Sequence, residues 1–177
     1  MSTNRDPNSK KPKRSSIPRW VVPIYWAAGL LLVHAVLPWA ISFLAPRLGW
    51  TSGSPGTTNL FALSLIVLGF LIVLWTMALH FVRAPQRVEF ERTPTYVLTQ
   101  GPYQFSRNPM YLGELVVWLG WVFFFGSVSV LIVFLLLVVL MNFRAVPREE
   151  RELEARFGEA YIQYKVKVPR WFGIPRG

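Results

Sequence analysis

The chain contains no cysteine, which excludes disulfides, thiolate metal sites and a thiol nucleophile together. The redox compartment is therefore left unread. Acidic residues are scarce as well: nine Asp and Glu face 19 Lys and Arg, a net charge of +10. Histidine occurs only as His34 and His80, and no Ser/His/Asp arrangement or metal-ligand cluster is spelled out, so no metal is expected. No nucleic-acid motif accompanies the positive charge, which lies in segments flanking apolar runs. Its plain reading is membrane topology and contact with anionic headgroups, with no nucleic-acid partner.

What is present is apolar surface in long runs. The chain of 177 residues is 53% hydrophobic with a mean hydropathy of +0.35, and its runs are long enough to cross about 30 Å of hydrocarbon. Residues 1–19 are polar and basic, and read as a disordered cytosolic tail. A cleaved signal peptide is not expected, because the polar lead is long, the first run exceeds an h-region and no small-x-small site follows. Residues 20–82 hold two spans, Val21 to Ala45 and Leu60 to Val82, joined by a Gly, Ser, Thr and Pro loop from Pro46 to Asn59. Residues 83–177 begin with a polar connector and continue into an apolar run, Leu115 to Phe143. As one helix that run would be about 43 Å long, more than a bilayer needs.

Charge decides between one span and two. Of the 19 Lys and Arg, six precede the first span, Arg47 follows it, four lie in the connector and eight follow Phe143. With four spans 18 of the 19 fall on one side, as the positive-inside bias requires; with three, the last eight are stranded outside. A tight hairpin is expected, turning near Gly126, with helices from about Asn108 to Phe125 and Ser127 to Phe143. Leu153, Phe157, Tyr161, Tyr164, Val168 and Trp171 then recur at steps of three and four and predict an interfacial helix with aromatics at the headgroup level. The expected fold is an all-α integral membrane protein of four transmembrane helices, both termini cytosolic, with a C-terminal interfacial helix. Its compactness points to a bacterial inner membrane.

Two polar islands interrupt this apolar chain: GPYQFSRNPMYLG, Gly101 to Gly113, and PREERELEARFGEAYIQYKVKVPRW, Pro147 to Trp171. In the first, Asn108 suits an N-cap and Pro109 the first helical position, so Arg107 and the free N–H groups of that helix start form an anion site. The same residues also read as an ordinary helix start with Arg107 and Tyr111 as interfacial anchors. In the second, Glu149 and Glu150 follow Arg144 and Arg148. Alone, they read as a solvated helix with pairs such as Arg148–Glu152. The hairpin brings both islands to one membrane face.

From roughly Thr95 to Trp171 the chain resembles the isoprenylcysteine carboxyl methyltransferase and phospholipid N-methyltransferase superfamily. The elements that carry the resemblance are G-x-Y, then R-[HN]-P-x-Y-x-G, a helical hairpin, E-E, F-G-x-x-Y-x-x-Y and V-P. It implies an integral membrane methyltransferase using S-adenosyl-L-methionine, with no Rossmann domain. Thr95, Tyr96, Val97, Leu98, Tyr103, Asn108, Pro109, Met110 and Tyr111 would contact the donor, and Glu149 with Glu150 would close the site. Arg107 and the helix start are assigned to its carboxylate, Glu149 or Glu150 to its hydroxyls or ammonium, and Tyr103 and Tyr111 to adenine and the methyl end. Two positions depart from the family pattern: Asn108 often stands as His, and Ala145 replaces a substrate-linked arginine. Arg144, Arg148 and Glu114 are the nearby candidates for the acceptor, a lipophilic or small molecule reached from the bilayer. An isoprenoid-linked carboxylate, an amine lipid and a thiol all remain open, as does a non-catalytic subunit or transporter on the same scaffold.

The histidine pair suggests a bis-histidine haem. Depth opposes it, because His34 lies about 20 Å inside its span and His80 about 3 Å inside its own.

Overall fold

The computed structural model describes residues 17–18, 21–83, 87–88 and 97–174. Most of these are helical. Helix α1 (Val22–Leu31) runs through a π turn, Leu32–Val36, into α2 (Leu37–Ile41), and a loop with a two-stranded ribbon, Trp50–Thr51 against Ser54–Pro55, leads to α3 (Thr57–Arg83). Helix α4 (Pro109–Phe125) and α5 (Val128–Leu140) form a hairpin. A second π turn, Met141–Ala145, carries α5 directly into α6 (Val146–Phe157), and α7 (Glu159–Lys167) follows. Among the described residues three helices are long and apolar enough to cross a membrane: Ala27–Leu44, Thr57–Val82 and Val128–Phe157. The fourth apolar helix, α4, has 17 residues and is about 25 Å long.

Among the described residues helices α3 and α4 make the most extensive contact, and small residues explain it. Gly69 of α3 is so close to α4 that a Cβ there would lie 2.6 Å from the Val117 backbone nitrogen and 2.7 Å from the Gly113 carbonyl. Gly113 and Gly120 repeat the close approach from the other helix, and Val73 and Val117 fill the seam at 1% exposure or less, while Trp118 is buried on the other side of α4 with Phe125 and Val130. The outward faces of α1, α3 and α5 remain apolar and exposed, including Leu71, Leu74, Leu135 and Leu136. A lipid-facing surface has this form.

The hairpin turns as the charge pattern requires. Gly126 adopts φ +57, a left-handed conformation that an L side chain resists, and its Cα lies against the Leu48 carbonyl. The last carbonyls of α4, which have no partner within their own helix, are taken up from the α2–α3 loop and the first turn of α3. Trp50 Nε1 donates to Phe124 O at 2.9 Å, and Asn59 Nδ2 donates to Phe124 O at 2.9 Å and to Leu48 O at 3.0 Å. Arg47, in the loop at this end, lies 3.9 Å over the Phe43 ring.

Two local expectations are corrected. The helix after the hairpin does not stop at Phe143; it continues to Phe157, because a π turn at Met141–Ala145 accommodates Pro147, which has no N–H, in the first turn of α6. The single interfacial helix from Leu153 to Trp171 is divided at Gly158, with φ 54, into the end of α6 and a separate α7. Its aromatics face protein, not headgroups: Tyr161 and Tyr164 are 2% and 8% exposed and pack with Val168, Val97, Leu153 and Phe157.

Candidate functional site

The start of α4 and the length of α6 stand side by side at one end of the hairpin, the end away from Gly126, and a cavity of about 400 Å³ opens between them. That volume lies within the range of small-molecule sites. One wall is the approach to α4, with Val97, Leu98, Tyr103, Arg107 and Asn108; Met110, Tyr111 and Glu114 extend from its first turns. Glu149 and Leu153 of α6 form the opposite wall, Tyr161 and Tyr164 of α7 a third, and His80 enters from the last turn of α3. Thus Val97, Leu98, Tyr103, Arg107, Asn108, Met110, Tyr111, Glu114 and Glu149 converge as the sequence predicts. Thr95 and Tyr96 lie outside the described residues.

The two adjacent glutamates part company. Glu149 is accessible to solvent, lines the cavity and is hydrogen-bonded to the Tyr111 hydroxyl. Glu150 turns away: its side chain is 5% exposed, held by Arg170 Nη2 at 2.7 Å and Nε at 3.2 Å, with Arg107 Nη1 at 3.3 Å from Oε1. Its assignment to the donor is corrected accordingly, because its oxygens are already engaged by two guanidinium groups. Arg107, with a side chain 10% exposed, has Nε and Nη1 buried without a hydrogen-bond acceptor. A buried donor left in this state costs free energy, and an added acceptor would recover it.

Asn108 occupies the capping position of α4 without capping it. Its backbone (φ −129, ψ 54) keeps the side chain from the helix N–H groups, and Nδ2 donates instead to the Arg170 carbonyl at 3.1 Å. Pro109 is buried in the first turn and does not line the cavity. Arg144 and Arg148 are exposed, and Arg148 pairs with Glu152 at 2.9 Å, so neither reaches the cavity.

Four residues of the cavity carried no site assignment in the sequence: His80, Leu153, Tyr161 and Tyr164. His80 Nε2 is 2.8 Å from the Tyr103 hydroxyl, and the Tyr164 hydroxyl donates to the Tyr103 carbonyl at 2.7 Å. Burial first, then the negative charge of Glu150, pushes the Tyr161 phenol up to about 12, with Arg107 opposing. Tyr164 is raised further, again chiefly by burial. Both remain hydrogen-bond donors across the physiological range and neither can serve as a base. The signal for them was the F-G-x-x-Y-x-x-Y pattern, whose tyrosines read as interfacial anchors in the absence of a partner surface.

The histidines are separated. His34 packs edge-on against Phe70 at 6.2 Å between ring centroids, and Phe70 is ten residues, about 15 Å along α3, from His80. They cannot share one haem iron.

The chain is similar in sequence to known proteins. A bacterial protein of uncharacterised function from Haemophilus influenzae is 36% identical over 62 residues, covering 35% of this chain and 98% of that protein. A Delta(14)-sterol reductase from Methylotuvimicrobium alcaliphilum is 29% identical over 107 residues, 55% of this chain but only 25% of the reductase. The family model described as phospholipid methyltransferase matches residues 57–160, which take in α3, the hairpin and α6 and every described cavity residue except Tyr161 and Tyr164. The match extends over more than half of the sequence and over the elements that build the site, so the chain belongs to the phospholipid methyltransferase family.

Proposed function

We propose that the protein is a methyltransferase of four membrane spans that uses S-adenosyl-L-methionine and methylates a lipophilic or small acceptor entering from the bilayer. The observation that carries this reading is the meeting, in one cavity, of Arg107 with its orphaned buried donors and the accessible carboxylate of Glu149. A ligand bearing both a carboxylate and cationic groups complements that pair. Bound there, S-adenosylmethionine supplies an electrophilic methyl group on a sulfonium.

The chain's own residues orient and exclude. Arg107 binds the carboxylate, Glu149 binds the ammonium or hydroxyls with Tyr111 holding its carboxylate in place, and Tyr103 with Val97, Leu98, Met110 and Leu153 encloses the apolar parts. Alignment of donor and acceptor supplies most of the acceleration in an in-line displacement of this kind. A carboxylate or thiolate acceptor needs no base; an amine must reach the cavity neutral. The similarity to a sterol reductase raises a reductive reading, in which a phosphorylated dinucleotide would deliver hydride. The cavity argues against it, since among the described residues Glu114 and Glu149 line it beside one Lys or Arg, Arg107, itself facing Glu150.

Charge supports the topology: 18 of 19 Lys and Arg belong to the cavity's side of the bilayer, with both termini cytosolic in a bacterial inner membrane. The test is calorimetry in detergent. Glu149→Gln is expected to lower donor affinity roughly tenfold or more, the scale of a hydrogen bond to a charged group, while Glu152→Gln leaves it unchanged. Wild-type protein that binds no donor, and membranes that transfer no label from methyl-labelled donor, would sink the reading.

A further inference from the structure

The C-terminal segment after α7 lies beyond the residues matched by the family model, 57–160, and is sewn to the approach of α4 residue by residue. Arg107 N donates to Pro169 O at 3.0 Å, Asn108 Nδ2 to Arg170 O at 3.1 Å, and Gly173 N to Phe105 O at 3.0 Å. These bonds fix the backbone of Arg170 beside Arg107. From there the Arg170 side chain reaches Glu150 with two nitrogens, Nη2 to Oε2 at 2.7 Å and Nε to Oε1 at 3.2 Å, the paired geometry that a guanidinium and a carboxylate prefer. Arg107, 3.3 Å from the same Oε1, has ion-pair contact without a hydrogen bond. Two cations thus share one buried anion, and the better geometry belongs to Arg170.

We propose that Arg170 is a positioning residue for donor binding: by occupying both oxygens of Glu150 it prevents that carboxylate from closing on Arg107. The guanidinium of Arg107 is thereby kept for the carboxylate of the donor. The inference rests on the assignment of the donor to this cavity. Its physical reason is charge balance. With Arg170 present the triad carries one net positive charge at the cavity wall. Without it, Glu150 would be a buried carboxylate with one partner left; it would rotate onto Arg107 to satisfy itself, because an unpaired buried charge is costly, and the wall would become neutral. The same network gives Asn108 a purpose without an imidazole, as the donor that anchors the Arg170 carbonyl.

The experiment compares two ligands on the full-length protein in detergent: S-adenosylmethionine and its decarboxylated analogue, which keeps the sulfonium and the amine. Wild type should prefer the carboxylate-bearing donor by roughly tenfold or more. Arg170→Gln should abolish that preference by weakening the donor while leaving the analogue's affinity as in wild type, and Arg170→Lys, which restores charge without the paired geometry, should recover part of it. If Arg170→Gln keeps the wild-type preference, or weakens both ligands equally as general loss of structure would, Arg170 has no such role. If wild type itself binds both ligands equally well, the carboxylate is not held by Arg107 and the inference falls with that assignment. If wild type binds neither, the donor reading fails first.

Discussion

Replacement of Gly69 by alanine should separate the two helices on which the cavity is built. The added Cβ would lie 2.6 Å from both the backbone nitrogen and the Cγ2 of Val117 and 2.7 Å from the Gly113 carbonyl, whereas ordinary contact begins at 3.4 Å, so α3 and α4 must part by about 0.8 Å. Two of those three atoms are backbone, and no side-chain rotation relieves them. Overpacking of this kind costs about 1–3 kcal/mol, and for a chain of this length each kcal/mol lowers Tm by about 2–4 °C. The natural control is Gly29→Ala, where nothing lies within 4 Å and better helix propensity should leave stability equal or slightly higher. Thermal unfolding of both variants in detergent measures the difference. Activity should fall more than stability suggests, because α3 carries His80 and α4 carries Tyr111 and Glu114, and displacement of about 1 Å can reduce a positioned reaction about a hundredfold. Equal melting temperatures for the two alanine variants would show that the helix seam is not packed as described.

Two further outcomes follow from the site and the topology. Tyr161 has a folded-state phenol at about 12, above the unfolded value of about 10, so its stabilising contribution is complete below about pH 10 and is lost as pH rises from there towards 12. Melting temperatures should fall over that window, and less steeply in Tyr161→Phe; an identical slope in the two proteins would contradict the burial assigned to that ring. The chain has no cysteine of its own, so single cysteines at Ser52 and Arg148 report sidedness directly. In intact cells a membrane-impermeant maleimide should modify the Ser52 position and spare Arg148 until the membrane is opened. Modification of both, or the reverse pattern, would break the four-span arrangement.

Much of the frame was legible because it is written in one dimension. That the last apolar run turns back followed from where 19 cations fall along the chain, and Gly126-Ser127, the two residues between α4 and α5, marked the place. The meeting of Arg107, Tyr111 and Glu149 followed from two motifs at the open ends of that hairpin. Less legible were the partners of those groups. Tyr161 and Tyr164 have the periodicity of an amphipathic face, and periodicity alone does not distinguish a bilayer headgroup layer from the wall of a cavity. The last span reads as ending at Phe143, yet the π turn at Met141–Ala145 carries the helix on through Pro147. Arg170 lies 63 positions from Arg107, and only the packing of the C-terminal segment onto residues 105–108 brings their side chains to one carboxylate.

Sequence by itself determined the apolar lengths, the side of the membrane favoured by charge, and the chemical inventory at the hairpin's open end, because each depends on residue type and order. Tertiary structure alone decided which of two consecutive glutamates faces the cavity. Neighbouring residues on an α-helix point about 100° apart, so the identity of Glu149 and Glu150 is equivalent until other helices pack around them. With α4 on one side and the Arg170 segment on the other, Glu149 is directed to the cavity and Glu150 to a buried pair of arginines.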